Sequence, residues 1–154
     1  MTFLLFQLGK DRYALEARRV AEVLPPVALK KIPAAAPGIA GVLNYHGSPV
    51  PVVDLGAMAL GQPARARLST RILLVRYAAG TGPEQFLGLL AEQATETLRR
   101  EPADFQPAGV TSPDTPFLGP VTTDSRGLIQ RVELEQLLTP AAREQLWQTA
   151  AALA

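Results

Sequence analysis

Residues able to do acid, base or nucleophilic chemistry are few and scattered in this sequence. The 154-residue chain has one histidine, His46, no cysteine, and fourteen Asp and Glu side chains. No pair of carboxylates has the company that would make one an acid and the other a base, and there is no HExxH, no GxSxG and no glycine-rich phosphate loop. The nearest glycine pattern, Gly38-Ile39-Ala40-Gly41, has too few glycines and lies in a strand context rather than at a helix start. A metal site or a catalytic triad is hard to build around a single histidine. The residues therefore point away from catalysis and towards binding, with no cofactor or metal expected. Taken alone, His46 is an exposed residue of a Tyr45-His46-Gly47-Ser48 turn, Glu22 a solvent-facing residue of an alternating strand, and Asp54 a cap on the turn that follows it.

The elements that would carry these residues are mostly short strands, because fourteen prolines and twelve glycines interrupt nearly every stretch. Phe3 to Leu8, a Gly9-Lys10-Asp11 turn and Arg12 to Leu15 read as a hairpin. Val20 to Val27 and Leu29 to Ile32 read as further extended pieces, broken by Pro25-Pro26 and closed by Pro33. A strand from Ile39 to Tyr45, the His46 turn and a strand ending at Asp54-Leu55 follow, with a brief helical turn over Leu55 to Leu60 and a loop over 62–69. Arg71 to Tyr77 and Phe86 to Ala91 are buried-strand candidates separated by a Gly/Pro-bearing turn, and residues 93–99 extend the second as an exposed strand. Five prolines between Glu101 and Pro120 predict a long loop, after which Val121 to Val132 makes the last hairpin. From Glu133 the apolar spacing turns helical, with Leu134, Leu137 and Leu138 at i, i+3 and i+4, and Thr139-Pro140 offers an N-cap and a first-turn proline for a terminal helix.

Composition narrows the function classes. Hydrophobic residues make up 47% of the chain and charged ones 19%, which leaves apolar surface available for partners. Lys and Arg outnumber Asp and Glu by six to four in residues 1–60, and stand at nine to ten in residues 61–154. The pairs Arg18-Arg19, Lys30-Lys31 and Arg99-Arg100 are scattered, lack interleaved aromatics, and read as solvated surface charge rather than a nucleic-acid face. A nucleic-acid-binding small barrel is nonetheless the alternative function, with an enzyme of unrecognised site behind it. The N-terminus lacks the pattern of a signal peptide and no apolar run is long enough to span a bilayer, so a cytoplasmic protein is expected.

One group of segments is Phe3-Leu4-Leu5-Phe6-Gln7-Leu8-Gly9, Tyr13-Ala14-Leu15 and Val20-Ala21-Glu22-Val23-Leu24. A second is Lys31-Ile32-Pro33, Ala36-Pro37, Ile39 to Asn44, Gly47 and Pro49 to Leu55. Their order resembles the CheW family of chemotaxis coupling proteins, the first group being similar to its opening strands and the second to its central signature. Weaker likeness continues through Arg71 to Val75, Gly88 to Glu92, and Leu128 to Val132 with Leu137-Leu138. The resemblance implies a mainly β fold: one CheW-like domain over residues 1–154, built of two intertwined five-stranded SH3-like barrels with a short C-terminal helix.

It also implies a non-enzymatic adaptor, recruited to membrane receptor arrays, that links chemoreceptor tips to the regulatory domain of a CheA-type histidine kinase and can join a ring of such adaptors. Carried over by position, Val20, Glu22, Gly41, Asn44 and His46 are receptor-facing, and Leu4, Ala17 and Val20 are kinase-facing on the first barrel. Gly41 is expected to allow close backbone approach, since it lacks a Cβ. Three departures stand out. His46 occupies the place of a usual arginine, Tyr45 that of an apolar aliphatic, and Gly56 that of the arginine that often follows Asp-Leu. Histidine is mostly uncharged at neutral pH, whereas a guanidinium is a permanent charge with a rigid fork of donors. Altered receptor recognition is the implied consequence, as in an accessory system of the Wsp surface-sensing kind.

Overall fold

The computed structural model describes residues 1–33, 35–36, 38–61, 70–78, 84–109 and 113–153. They form strands β1 (Thr2–Leu8), β2 (Asp11–Glu16), β3 (Val20–Leu24), β4 (Ile39–Tyr45), β5 (Ser48–Asp54), β6 (Thr70–Tyr77), β7 (Gln85–Arg99), β8 (Leu118–Asp124) and β9 (Gly127–Val132), with helices α1 (Leu55–Leu60) and α2 (Pro140–Ala152). The loop expected over 62–69 and most of the turn after Tyr77 lie outside the described residues.

The long strand β7 organises the rest. Its first half, Gln85 to Glu92, pairs antiparallel with β6, and Gly88 to Leu90 pairs in parallel with β5. Its second half pairs antiparallel with β1 as far as Arg99. Two five-stranded sets result, one running β3-β6-β7-β5-β4 and the other β7-β1-β2-β9-β8. Parallel pairing of β2 with β9 joins the N-terminal hairpin to the last one, so the strands are exchanged as the resemblance implied. Where β7 crosses between sets, its register against β1 slips between Leu5 and Gln7, and Gln93 takes a left-handed φ of 49°.

The apolar runs of β1 and β6 are continuous because both faces are covered. In β1, Phe3 and Leu5 face a cluster with Ala14, Phe105 and Ile129, while Phe6 and Leu8 face a larger central cluster. In β6, Leu74 joins Leu43, Val50 and Val52, while Leu73, Val75 and Tyr77 join the central cluster. Leu134, Leu137 and Leu146 close that cluster from the C-terminal segment, and Trp147 stacks on Tyr77 with ring centroids 5.7 Å apart. Each fully buried Leu or Phe contributes on the order of 2 kcal/mol, so this shared centre holds the two sets together.

Three local expectations need correction. Of the extended pieces over Val20 to Ile32, only Val20–Leu24 is a strand; beyond Pro25-Pro26 the chain meets β4 at one bridge, Lys30 with Val42, closed by backbone hydrogen bonds of 3.0 and 2.8 Å. The proline-rich stretch ends early, since β8 begins at Leu118 and takes in Pro120 at a sheet edge, where a missing N–H is tolerated. Finally, the leucine spacing after Glu133 gives a 3-10 turn at Leu134–Gln136 rather than an α-helix, whereas the terminal helix α2 starts at Pro140 as expected, with Thr139 Oγ1 accepting from Ala142 N–H at 3.1 Å.

The two hairpins of the second set are tied by Arg12 and Asp124. Arg12 donates to both Asp124 carboxylate oxygens at 2.8 and 2.5 Å, and Arg126 N–H donates at 2.8 Å. The Arg12 hydrogen bonds above all, with the Arg126 backbone bond, hold this carboxyl well below the usual carboxylate range. A depressed folded pKa contributes stability that is full above the unfolded value of about 4 and is lost as pH falls through the folded one. Urea unfolding midpoints should therefore decline below about pH 4, and Asp124→Asn should flatten that acid slope while lowering the midpoint at neutral pH.

Candidate functional site

The signature turn is a two-residue hairpin. Tyr45 pairs with Ser48, and the central residues His46 and Gly47 take φ values of 50° and 87°. Positive φ at both central positions is the primed geometry that matches strand twist, and glycine at the second explains why the turn forms there. Asn44 Oδ1 accepts from Gly47 N–H at 2.9 Å and so fixes the turn from within. His46 is left exposed at its tip, in a left-handed conformation unusual for a residue with a Cβ.

Glu22 reaches this turn from β3. Tyr45 Oη donates to Glu22 Oε2 at 2.6 Å, and this hydrogen bond to a carboxylate raises the phenol pKa. The Tyr45 ring meets His46 edge-on at 4.3 Å and Phe86 at 5.8 Å. Sequence reasoning marked Glu22, Asn44 and His46 but missed Tyr45 and Phe86 as members of this surface. Tyr45 carried a signal as an aromatic where an aliphatic is usual; Phe86, 38% exposed, carried none.

Gly41 and Val20 sit differently. Gly41 is buried, with φ of 150°, and a Cβ there would lie 2.6 Å from the Lys30 carbonyl oxygen and 3.0 Å from Leu29 Cβ. The close approach expected at this glycine is thus taken up by the chain's own Leu29-Lys30 segment. Val20 begins β3 opposite Val75 and is half-buried against the central cluster. Leu4 is half-buried on the same cluster, across from Leu15 and Thr97, and Ala17 opens the 3-10 turn between β2 and β3. The kinase-facing candidates therefore do not share one barrel: Leu4 belongs to the set of β1 and β2, Val20 to that of β3.

The turn that joins those sets is charged. Arg19 pairs with Glu135 and donates from Nε to the Arg76 carbonyl at 3.1 Å, while Arg76 Nη1 donates to the Arg18 carbonyl at 3.2 Å. Glu16, nearly buried, accepts from Arg18 at 2.5 Å and from Arg131 at 2.6 Å, and Arg131 lies over the rings of Phe3 and Phe105. Only Arg18 of the first basic pair fits the expected solvated charge; Arg19 is drawn into the junction. Ion pairs thus occupy the small polar hollow beside Glu16, Arg19 and Arg131. The apolar groove of about 390 Å³ between the segment before β4 and α2 is lined by Ile32, Ile39, Leu138 and Leu146. Among the described residues no group of three or more His, Cys, Asp and Glu is placed to hold a metal, and no helix is long and apolar enough to cross a membrane.

Comparison with known proteins agrees with this architecture. The crystal structure of the scaffolding protein TtCheW from Thermoanaerobacter tengcongensis superposes with a TM-score of 0.75, at 27% identity over 86% of this chain and 84% of that one. No curated protein matches the chain. The CheW-like domain model matches residues 2–142, from the first strand through the start of α2. Sequence signature, exchanged strands and this near-complete match place the chain in the CheW-like family.

Proposed function

We propose that this protein is a non-enzymatic adaptor that couples the cytoplasmic tips of chemoreceptors to the regulatory domain of a CheA-type histidine kinase, within an array assembled under the membrane. The observation that carries this reading is the CheW-like match across residues 2–142, in a family of scaffold proteins. The exposed turn supports it: Asn44 rigidifies a projecting His46, and a rigid projection suits recognition of a helical hairpin tip whose register must be set by few polar contacts. Receptor contact is assigned to the neighbourhood of Val20, Glu22, Gly41, Asn44 and His46, with Gly41 acting through the backbone it lets approach. Kinase contact is assigned to Leu4, Ala17 and Val20 along the junction of the two barrels. The replacement of the family's arginine by His46 favours an accessory pathway, such as Wsp-type surface sensing, over the standard motility system.

Pull-down with a receptor-tip hairpin and with a kinase regulatory domain tests the reading. Binding of both is the expected result; tight oligonucleotide binding at physiological salt with neither signalling partner would overturn it. His46 supplies the finer test. Because its backbone is left-handed, His46→Asn keeps a residue that tolerates the turn, whereas His46→Ala adds a stability change of up to about 1 kcal/mol. His46→Asn should weaken receptor-tip binding about three- to tenfold with kinase binding retained, and His46→Arg should shift preference towards tips of standard motility receptors. Calorimetric titration of both variants against both tips checks this.

A further inference from the structure

In the set β3-β6-β7-β5-β4, strands β3 and β4 lie at opposite ends, and no backbone ladder joins them among the described residues. Two things close the gap at the end that carries the signature turn. Ala21 and Leu24 of β3 pack on the same cluster as Leu43 and Tyr45 of β4. The Tyr45 phenol donates to Glu22 across the opening at 2.6 Å. Phe86, from the middle of the sheet path, backs the Tyr45 ring edge-on, and the His46 ring meets the same tyrosine edge-on at 4.3 Å. We propose that Tyr45 is a positioning residue for receptor recognition: its hydrogen bond to Glu22 and its contact with Phe86 clasp β3 to β4 and set the direction in which the His46 turn projects. On this view Glu22 acts through Tyr45, as the acceptor that holds it, and not as an anion offered to the partner.

This rests on the adaptor reading, and it has consequences that a direct ionic contact would not have. A hydrogen bond to a carboxylate is stronger than a neutral one, yet the clasp needs only an acceptor, so glutamine can substitute where alanine cannot. Phe at position 45 keeps the ring packing and removes only the donor.

The test measures affinity of the full chain for a chemoreceptor-tip hairpin, displayed on a stabilising coiled coil, and for the kinase regulatory domain. Wild type, Tyr45→Phe, Glu22→Ala, Glu22→Gln and the double variant Tyr45→Phe/Glu22→Ala are compared. Tyr45→Phe and Glu22→Ala should each weaken tip binding about tenfold, and the double variant should lose about tenfold rather than a hundredfold, since both remove one interaction. Glu22→Gln should recover most of what Glu22→Ala loses. Kinase affinity should stay within about twofold throughout, which separates loss of the clasp from loss of fold. Tyrosinate absorbance, taken as the difference between each protein and its Tyr45→Phe counterpart, should show the raised Tyr45 pKa falling back in Glu22→Ala. The proposal is overturned if Glu22→Gln loses as much as Glu22→Ala, which would make the charge itself the contact, or if the two single losses multiply in the double variant. Failure of the wild type to bind any tip while it binds the kinase would remove the receptor half of the adaptor reading and this inference with it.

Discussion

Gly41→Ala is expected to destabilise the protein by about 3 kcal/mol. The added Cβ would lie 2.6 Å from a backbone oxygen, that of Lys30, which cannot rotate away as the end of a flexible side chain could. The same oxygen accepts from Val42 N–H at 2.8 Å, so relief by moving the Leu29-Lys30 segment breaks the bridge that ties it to β4. A φ of 150° adds strain for any residue other than glycine. Thermal unfolding should show a midpoint lower by roughly 6 to 12 °C, and receptor binding should fall with it. If stability were unchanged while binding fell, Gly41 would be a direct contact and the packing argument would fail.

The second large effect concerns Leu4. Its side chain is half-buried on the central cluster, so Leu4→Asp places a carboxylate at the rim of an apolar core. A loss of about 2 to 4 kcal/mol follows from desolvation and lost packing together, and failure to bind the kinase would then say nothing about contact. Leu4→Ala separates the two roles: it should cost about 1 to 2 kcal/mol of stability, leaving a folded protein whose kinase affinity can be measured. Circular dichroism alongside titration with the kinase regulatory domain decides it. A tenfold affinity loss in folded Leu4→Ala marks an interface residue; unchanged affinity assigns Leu4 wholly to the core.

What could be foreseen from the sequence depended on how local the cause was. Asp54 was readable as a cap because its acceptor and the N–H it meets, that of Ala57, lie within one turn, and Gly61 ends α1 in the left-handed conformation that glycine permits. The His46 turn was readable from Asn44 and Gly47 for the same reason. The continuity of β7 was legible too, since residues 93–99 read as an exposed extension of the apolar run before them, although Gln93 divides the two halves. The exchanged topology came from resemblance and not from patterning, because the pairing of β2 with β9 spans more than a hundred residues and leaves no periodic trace. The site divided in the same manner. Asn44 and His46 were legible, whereas the link from Tyr45 to Glu22 depends on closure of a barrel and the role of Lys30 over Gly41 on a chain crossing, neither written in local sequence.

The bend of β7 at Gln93 also bears on how the chain acquires its structure. One continuous strand supplies hydrogen-bonding partners to β6 and β5 on one side and to β1 on the other, so neither barrel has a complete set of strands until the other has begun to form. The N-terminal hairpin must in addition wait for β9, which follows it by more than a hundred residues. Such non-local closure makes for slow folding and a high entropic barrier, with the edges of β1 and β2 unpaired in the meantime. The nascent chain thus passes through a stage in which its most apolar strands have no permanent neighbours, and the shared strand that later binds the two barrels is also what delays the completion of each.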